Sequence, residues 1–398
     1  MVKKRYQTFF IVMSFLIFVL YAFYKNIYGA DAPVMMDFYS ITNAQQGFIL
    51  TTQSIGGMVV AVILALNGER YNKINVITLG MAVLVIACIF IGLVPPYVFL
   101  LILSCATGIG VTMIDVMMNG VISEVFPEKK NTLLPITHAF YGLGCMAAPL
   151  LVAFTVNPKI FESFGVPFLI IGVAGAAVFV FYLIAGKKIM KDTPYVDMES
   201  MKKRAIENPA EVFKTKPAWV LLLTGILYFC FQIGIASWLP TYCIQNLSMP
   251  FEQAGAMLTA FFGGALIMRF LCPLILKKMS TSKFFIVFGL TSALCMIAAL
   301  SVTNIQLVIV LAIIAGFLQG ANVVALVIMC CDTFPKRTAS ASAIVVFAAN
   351  AATMLGPVLI GEIASVTGFQ FPMYLICGLM LISVLCIFLL TRKKAIAC

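Results

Sequence analysis

The chain has 398 residues, of which 62% are hydrophobic and 10% charged, and its mean hydropathy is +1.08. This composition excludes a soluble globular protein, and the chain is long enough for about a dozen spans of ~20 residues. The formal net charge of +11 does not indicate nucleic-acid binding, because the cations are grouped in short loops between apolar segments. We therefore expect an all-α membrane protein with no nucleic-acid partner.

Apolar runs separated by polar or proline-containing breaks predict twelve transmembrane helices. In chain order they cover residues 7–29, 44–67, 75–95, 97–126, 132–156, 165–186, 217–242, 252–276, 283–303, 306–331, 338–364 and 370–391. We predict an N-terminal six-helix bundle over residues 1–186, a cytoplasmic linker over 187–216 and a C-terminal six-helix bundle over 217–398. The linker is polar and charged, and a short amphipathic helix is predicted around Asp197 to Ile206.

The two halves are pseudo-repeats. Pro127 and Pro149 in the first half return as Pro335 and Pro357, and 335 − 127 gives a shift of 208 positions. In membrane proteins a parallel repeat of six helices places the substrate site near the bilayer midplane, at the boundary of the halves. The duplication therefore predicts a transporter.

The orientation in the membrane follows from the cations. Of the 26 lysines and arginines, all except Lys25, Lys159 and Arg269 lie before the first helix, in alternate loops or after the last helix. By the positive-inside rule these loops face the cytoplasm. We expect an integral protein of the plasma (inner) membrane with both termini and the linker cytoplasmic.

Asp115 lies near the middle of the fourth predicted span. An ionisable residue at this depth is costly and normally faces a cavity where it has partners. Because the bilayer disfavours charge, such a carboxylate can take up a proton at one stage of a cycle and release it at another. We predict that Asp115 couples transport to a proton; the alternative is a structural hydrogen bond to a neighbouring helix.

Three further polar residues are expected at a similar depth. Asn119 follows Asp115 by four residues and shares its helical face, and His138 and Tyr141 share a face of the next helix. Antiparallel pairing of helices 4 and 5 brings these side chains to one level. An amide, an imidazole and a phenol suit a hydroxyl-rich ligand, although His138 alone could equally bond a backbone carbonyl.

Other residues are candidates for the same substrate site. They are polar or amphipathic residues within predicted helices: Lys25, Gln232, Trp238, Asn322 and Asn350. Lys25 lies near the outer end of helix 1, where it could snorkel to the interface. If it points inward instead, it would neutralise Asp115 or attract an anionic substrate.

Glu124 and Asp332 end helices 4 and 10 beside basic loops, 208 positions apart. Acidic residues here suit a cytoplasmic gate that closes by pairing with cations and opens by separating from them. We predict that Glu69, Arg70, Arg269 or the other loop cations take part in this gate. The alternative is a set of solvated surface pairs, which contribute little.

No motif for catalysis or for a cofactor occurs. One histidine in the chain excludes a metal cage built from several histidines, and there is no Gly-rich phosphate loop, zinc motif or nucleophile elbow. We therefore expect neither an enzyme nor a metal or cofactor site.

The stretch Glu69-Arg70-Tyr71-Asn72-Lys73 resembles the loop between helices 2 and 3 of the major facilitator superfamily, with Asn72 in place of a glycine. Within that superfamily, the Asp115 to Asn119 spacing, the run from His138 to Gly144 and Arg269-Phe270 are similar to the fucose permease group of sugar–proton symporters. The group's acidic residue near the end of helix 1 has Asp31 as its nearest match. The resemblance implies the twelve-helix fold and sugar–proton symport.

Together these features predict a secondary active transporter that moves a small polar solute, a monosaccharide in the first instance, with a proton by alternating access. Its partners would be this solute, a proton and the lipid bilayer, and it would act as a monomer. The alternatives within the same fold are an exporter of amphipathic compounds and an organic-anion transporter. Sodium is an alternative coupling ion, because carboxylate, amide and hydroxyl oxygens also bind it.

Overall fold

The computed structural model describes residues 4–41, 43–157, 159–192 and 209–396, and these residues form helices with no strand among them. The helices are α1 (Lys4–Tyr39), α2 (Asn43–Asn67), α3 (Lys73–Gly92), α4 (Tyr97–Val125), α5 (Lys130–Thr155), α6 (Gly165–Asp192), α7 (Lys216–Leu247), α8 (Phe251–Leu276), α9 (Thr281–Leu300), α10a (Ile305–Gln319), α10b (Asn322–Thr333), α11 (Thr338–Thr367) and α12 (Gln370–Ile396). Within the described ranges twelve spans are long and apolar enough to cross a membrane. The predicted all-α membrane fold with twelve transmembrane helices is confirmed. The amphipathic helix predicted around Asp197 to Ile206 lies outside the described residues.

Side-chain caps fix where equivalent helices begin in the two halves. The Asn72 Oδ1 accepts the backbone N–H groups of Ile74 and Asn75 at 3.0 and 3.2 Å, which starts α3. The Ser280 Oγ accepts the Lys283 N–H at 3.4 Å at the start of α9, and 280 − 72 is again 208. Such caps satisfy backbone donors that have no partner inside the helix. Asn72 has φ −68°, so this position does not require a glycine.

The helices form two compact units. In the first, which holds the described residues up to Ala210 together with Pro335–Val346, α1 packs on α5 and α6, α3 packs on α4 and α6, and α2 packs on α4. In the second, which holds Glu211–Phe334 and the described residues from Phe347 onward, α7 packs on α12, α9 packs on α10a and α12, and α8 packs on α10a. The second set repeats four of the five pairs of the first, all except α1 on α5, so the duplication extends to most of the packing. The bundle boundaries predicted at residues 186 and 217 stay predictions.

The tenth span differs from the prediction of one continuous helix over 306–331. It is interrupted at Gly320 and Ala321, where α10a ends and α10b begins. The Arg269 Nε donates to the Gly320 carbonyl oxygen at 2.9 Å, and the Tyr228 hydroxyl donates to the Gln319 Oε1 at 3.1 Å. Arg269 thus takes up a carbonyl oxygen of the helical hydrogen-bond ladder, which accounts for the break, whereas Tyr228 bonds a side chain beside it. The first helix also runs ten residues past its predicted end at 29, to Tyr39, although its apolar span ends at Tyr28.

Close contact of α4 with α2 depends on a residue without a side chain. A Cβ atom added at Gly108 would overlap the carbonyl oxygen of Gln53, whereas a Cβ added at Gly263 on α8 would meet nothing within 4 Å. Small residues at helix interfaces of membrane proteins allow such close approach.

We expect Gly108→Ala to destabilise the purified protein by about 1–3 kcal/mol through overpacking, and to lower its thermal unfolding temperature in detergent. Gly263→Ala is the matched control, because it makes the same chemical change in a helix with room for the methyl group; its unfolding temperature should equal or exceed that of the wild type. Equal unfolding temperatures for Gly108→Ala and the wild type would contradict the described packing of α2 on α4.

Candidate functional site

The first unit links three of the predicted side chains into one hydrogen-bonded chain. Asp115 and Asn119 lie one turn apart on α4, and the Asn119 Nδ2 donates to the Asp115 Oδ1 at 2.8 Å. The Nε2 of His138 on α5 lies 3.3 Å from the Asn119 Oδ1, and since an amide oxygen only accepts, His138 donates. Asn119 and His138 are 0% and 6% exposed, whereas Asp115 is half-buried. The carboxylate is therefore the accessible end of this chain.

Aromatic side chains of α1 pack on this group. The Phe18 ring meets the His138 ring edge-on at a centroid distance of 5.4 Å, and the Tyr21 ring lies 5.1 Å from that of the predicted residue Tyr141. Phe18 and Tyr21 were not predicted, because aromatic residues in an apolar helix are indistinguishable from core by composition. Their spacing from Lys25, by seven and four residues, is the signal that places all three on one helical face.

Lys25 completes that face of α1. Its ammonium interacts electrostatically with the Asp115 carboxylate on α4 and with Cys145 on α5. Both Lys25 and Asp115 are half-buried. The lysine is therefore directed toward α4 and α5 and not toward the membrane interface, as snorkelling would require.

The candidate residues of the second unit lie on α7, α10b and α11. Gln232 on α7 and Asn350 on α11 are half-buried. Trp238 donates from Nε1 to the Pro357 carbonyl oxygen at 3.1 Å, which ties it to α11. Asn322 at the start of α10b is 0% exposed, and neither its amide oxygen nor its amide nitrogen has a hydrogen-bond partner within the described part of the chain.

A second group of polar side chains lies where α2 and α4 end and α11 begins; we refer to Glu69, Lys73, Glu124, Thr338 and Ala339 as the Lys73 cluster. The Lys73 Nζ lies 2.6 Å from the Glu69 Oε2 and 2.6 Å from the Glu124 Oε1, and the three side chains are 3%, 5% and 9% exposed. The Glu69 Oε1 also accepts the Ala339 N–H at 2.7 Å, and the Thr338 hydroxyl donates to the Glu124 Oε1 at 2.5 Å. Two carboxylates thus hold both a buried lysine and the first turn of α11, where backbone N–H groups carry partial positive charge.

Only some of the predicted gate residues belong to the Lys73 cluster. Glu69 and Glu124 lie in the Lys73 cluster. Arg70 is exposed, and its Nη1 donates to the Asn67 Oδ1 at 3.3 Å. Arg269 is buried in the second unit at the break of the tenth span, and Asp332 at the end of α10b is exposed. Of the loop cations, Lys73 and not Arg70 is the ion-pair partner of Glu124.

Asp31 lies on α1 three residues beyond the apolar span Gln7–Tyr28. Its carboxylate is 0% exposed, and neither oxygen has a hydrogen-bond partner within the described ranges. Burial raises the pKa of Asp31 from 3.8 to about 7, because desolvation disfavours the charged form. The group therefore titrates near neutral pH.

Comparison with known proteins identifies the sequence relatives. The model of the Major Facilitator Superfamily matches residues 13–280 and, in a second match, residues 244–397. The chain is 20% identical to an uncharacterised MFS-type transporter, YfkL, of Bacillus subtilis, over 81% of this chain and 80% of that protein. It is 22% identical to the hexuronate transporter of the same organism, over 92% of this chain and 90% of that protein.

Solved structures share the fold. The proton:xylose symporter XylE superimposes with a TM-score of 0.79 at 13% identity, covering 96% of this chain and 95% of that one. The E. coli fucose:proton symporter FucP superimposes with a TM-score of 0.74 at 13% identity, covering 95% of this chain and 98% of that one. At these identities the likeness shows the fold alone.

Replacing Lys73 should destabilise the protein strongly. We expect Lys73→Met to cost about 3–5 kcal/mol, because it leaves two buried carboxylates without their cation. Arg70→Met is the matched control: it removes a cation three residues away whose side chain is exposed, and it should change stability by less than about 0.5 kcal/mol. Thermal unfolding of the purified variants measures both effects. Similar losses in the two variants would show that the Lys73 cluster does not contribute specifically.

Asp31 should make stability fall as the pH rises. Its folded-state pKa of about 7 exceeds the unfolded value, so the folded state binds this proton more tightly than the unfolded chain does. The stabilisation that the bound proton gives is lost as the pH rises from about 4 to about 7, where the unfolded chain ionises. Between pH 5 and pH 8 we expect a loss of about 2–3 kcal/mol that Asp31→Asn removes. Unfolding temperatures at both pH values measure this loss. Asp37→Asn, an exposed position on the same helix, is the control and should retain the wild-type pH dependence; a wild-type dependence in Asp31→Asn would contradict the assignment.

Proposed function

Because the chain belongs to the Major Facilitator Superfamily, we propose that it is a secondary active transporter that moves a small hydroxylated solute together with a proton by alternating access. The observation that carries this proposal is the Asp115–Asn119–His138 chain, whose accessible end is a carboxylate in the middle of a span. An intramembrane carboxylate with hydrogen-bonding partners is the expected form of a proton-binding site in a transporter.

The neighbours of Asp115 support a solute of monosaccharide size. Tyr141 offers a hydroxyl and an aromatic face, and Phe18 and Tyr21 supply further apolar ring surface. Rings of this kind pack against the C–H faces of a sugar, while hydroxyl, carboxylate and imidazole groups bond its hydroxyls. The hexuronate transporter, the proton:xylose symporter XylE and the fucose:proton symporter FucP are named for sugars or a sugar acid, which agrees with this size and polarity.

Asp115 is proposed to be protonated in the solute-loaded form and ionised in the empty outward-open form. Asn119 donates to the carboxylate, so it stabilises the ionised state. Substrate binding is proposed for Asn119, His138 and Tyr141, and it stays a prediction for Gln232, Asn322 and Asn350. The hydrogen bond from Trp238 to the Pro357 carbonyl oxygen favours a structural role for Trp238.

The Lys73 cluster is proposed as the cytoplasmic gate. Its carboxylates bond the first turn of α11, and separation of α11 from α2 and α4 would break these bonds together. A gate with several cooperative bonds has two discrete states, which is what alternating access requires. The cation pattern supports an orientation with both termini and this gate on the cytoplasmic side of the inner membrane, and we propose that the monomer is the functional unit.

Proton coupling predicts a specific phenotype for Asp115→Asn. In proteoliposomes with an inward proton gradient, the wild type should accumulate a labelled monosaccharide or sugar acid from a panel of both. Asparagine keeps an oxygen that accepts from Asn119 but binds no proton at the pH of the assay. The variant should therefore lose accumulation by at least about tenfold, while it retains exchange of labelled for unlabelled solute. Asp37→Asn, at an exposed position, should behave as the wild type.

Two outcomes would refute the proposal in different ways. If Asp115→Asn accumulates solute as well as the wild type, the proton is bound elsewhere. If no member of the panel moves in response to a gradient in the wild type, hydroxylated solutes of this size are not its substrates.

A further inference from the structure

Lys25 and Asp115 form an open pair of opposite charges. They interact electrostatically, yet they are not among the ion pairs with a nitrogen–oxygen distance of 4.0 Å or less in the described part of the chain. Both side chains are half-buried and so keep accessible surface. Two charges that attract each other but do not touch leave the ammonium free to bind a second acceptor.

Lys73 is a fully paired lysine in the same protein and provides a contrast with Lys25. Lys73 has carboxylate oxygens on two sides at 2.6 Å and is 3% exposed, so its bonding capacity is used by the protein itself. Lys25 has no hydrogen bond of its ammonium to any of the described residues, and its interactions with Asp115 and Cys145 act over a longer range. A lysine within a span that the protein leaves incompletely paired is costly, which is an arrangement expected where a ligand completes the pairing.

We propose that the transported solute carries a carboxylate, and that this group binds Lys25 while Asp115 holds the coupled proton. The inference rests on the function proposed above and names its substrate class: a small hydroxylated monocarboxylate, such as a sugar acid. The solute carboxylate takes over the role of Asp115 as the counter-charge of Lys25, and the Tyr141 hydroxyl on α5 bonds the solute's own hydroxyls.

Charge balance supports this assignment. In the empty site, protonated Lys25 and ionised Asp115 sum to zero. With a monoanion bound and Asp115 protonated, one positive and one negative charge again sum to zero. A neutral sugar with a proton would instead leave the loaded site with a net positive charge, which is unfavourable in a low-dielectric environment. A carrier with this pair moves an acid and a proton without net charge.

The test uses the wild-type protein in proteoliposomes and pairs of labelled solutes that differ by one carboxylate: glucose and glucuronate, galactose and galacturonate, and glycerol and glycerate. One arm applies a pH gradient with the membrane potential held at zero by valinomycin and potassium. The other arm applies an inside-negative potential at equal pH. We expect an acid of at least one pair to exceed its neutral partner by at least about tenfold, to respond to the pH gradient, and not to respond to the potential.

Variants then test Lys25. Lys25→Met should reduce uptake of the acid by about a hundredfold, because it leaves the solute carboxylate without a counter-charge. Lys25→Arg should remain within about tenfold of the wild type, because the charge stays. Lys159→Met removes an exposed lysine and should leave uptake unchanged. Unfolding temperatures show whether each variant is folded. The response of wild-type uptake to the membrane potential tests the carboxylate assignment without any variant.

The outcomes that would contradict the carboxylate assignment differ from those that would contradict the proposed function. Uptake of a neutral member that is driven by both the pH gradient and the potential, with no uptake of its acid, would overturn the carboxylate assignment and leave proton symport standing. Uptake of an acid that Lys25→Met does not reduce would also overturn it. If no solute responds to either gradient, the proposed function fails as well.

Discussion

The free energy of placing charge in an apolar bilayer is the constraint on which the rest of this structure depends. Within a span, an ionisable side chain has to be paired, hydrogen-bonded or accessible to water. The protein satisfies this requirement in two ways. Lys73 is closed between Glu69 and Glu124, which also hold the start of α11. Lys25 and Asp115 are left apart and accessible. A closed cluster suits a contact that must be stable in one state, and an open pair suits a site whose partner changes during a cycle.

The same requirement applies to the backbone and explains where helices end. Asn72 and Ser280 cap equivalent helices 208 positions apart, so the repeat is preserved in the groups that satisfy backbone donors. The tenth span departs from the repeat because Arg269 takes up the Gly320 carbonyl. In the bilayer a freed backbone carbonyl needs a protein donor, and the arginine provides one; the break and the buried cation are therefore one feature.

Much of the fold and of the candidate site could be predicted from the sequence. Each feature that could not be predicted has a physical reason. Helix number and type follow from apolar periodicity, and the link between Asn119 and His138 follows from helical spacing and antiparallel pairing. The choice of Lys73 over Arg70 as the buried cation could not be predicted, because both follow Glu69 within four residues and only tertiary packing separates them. Phe18 was not predicted, because the sequence does not distinguish an aromatic side chain that contacts polar residues from one that packs in the core. The break at Gly320 depends on a side chain from another helix.

The duplication offers an independent argument about which polar groups serve the fold. If the polar side chains around Asp115 were needed to assemble a six-helix bundle, the second half should retain them, because four of its helix pairs repeat those of the first half. At a shift of 208 the counterparts of Asp115, Asn119, His138 and Tyr141 are all apolar: Val323, Val327, Val346 and Ala349. The second half therefore forms these four helix pairs without the constellation. Its presence in one half only, at the energetic cost of a carboxylate within a span, supports the proposal that it serves a functional site and not the assembly of the bundle.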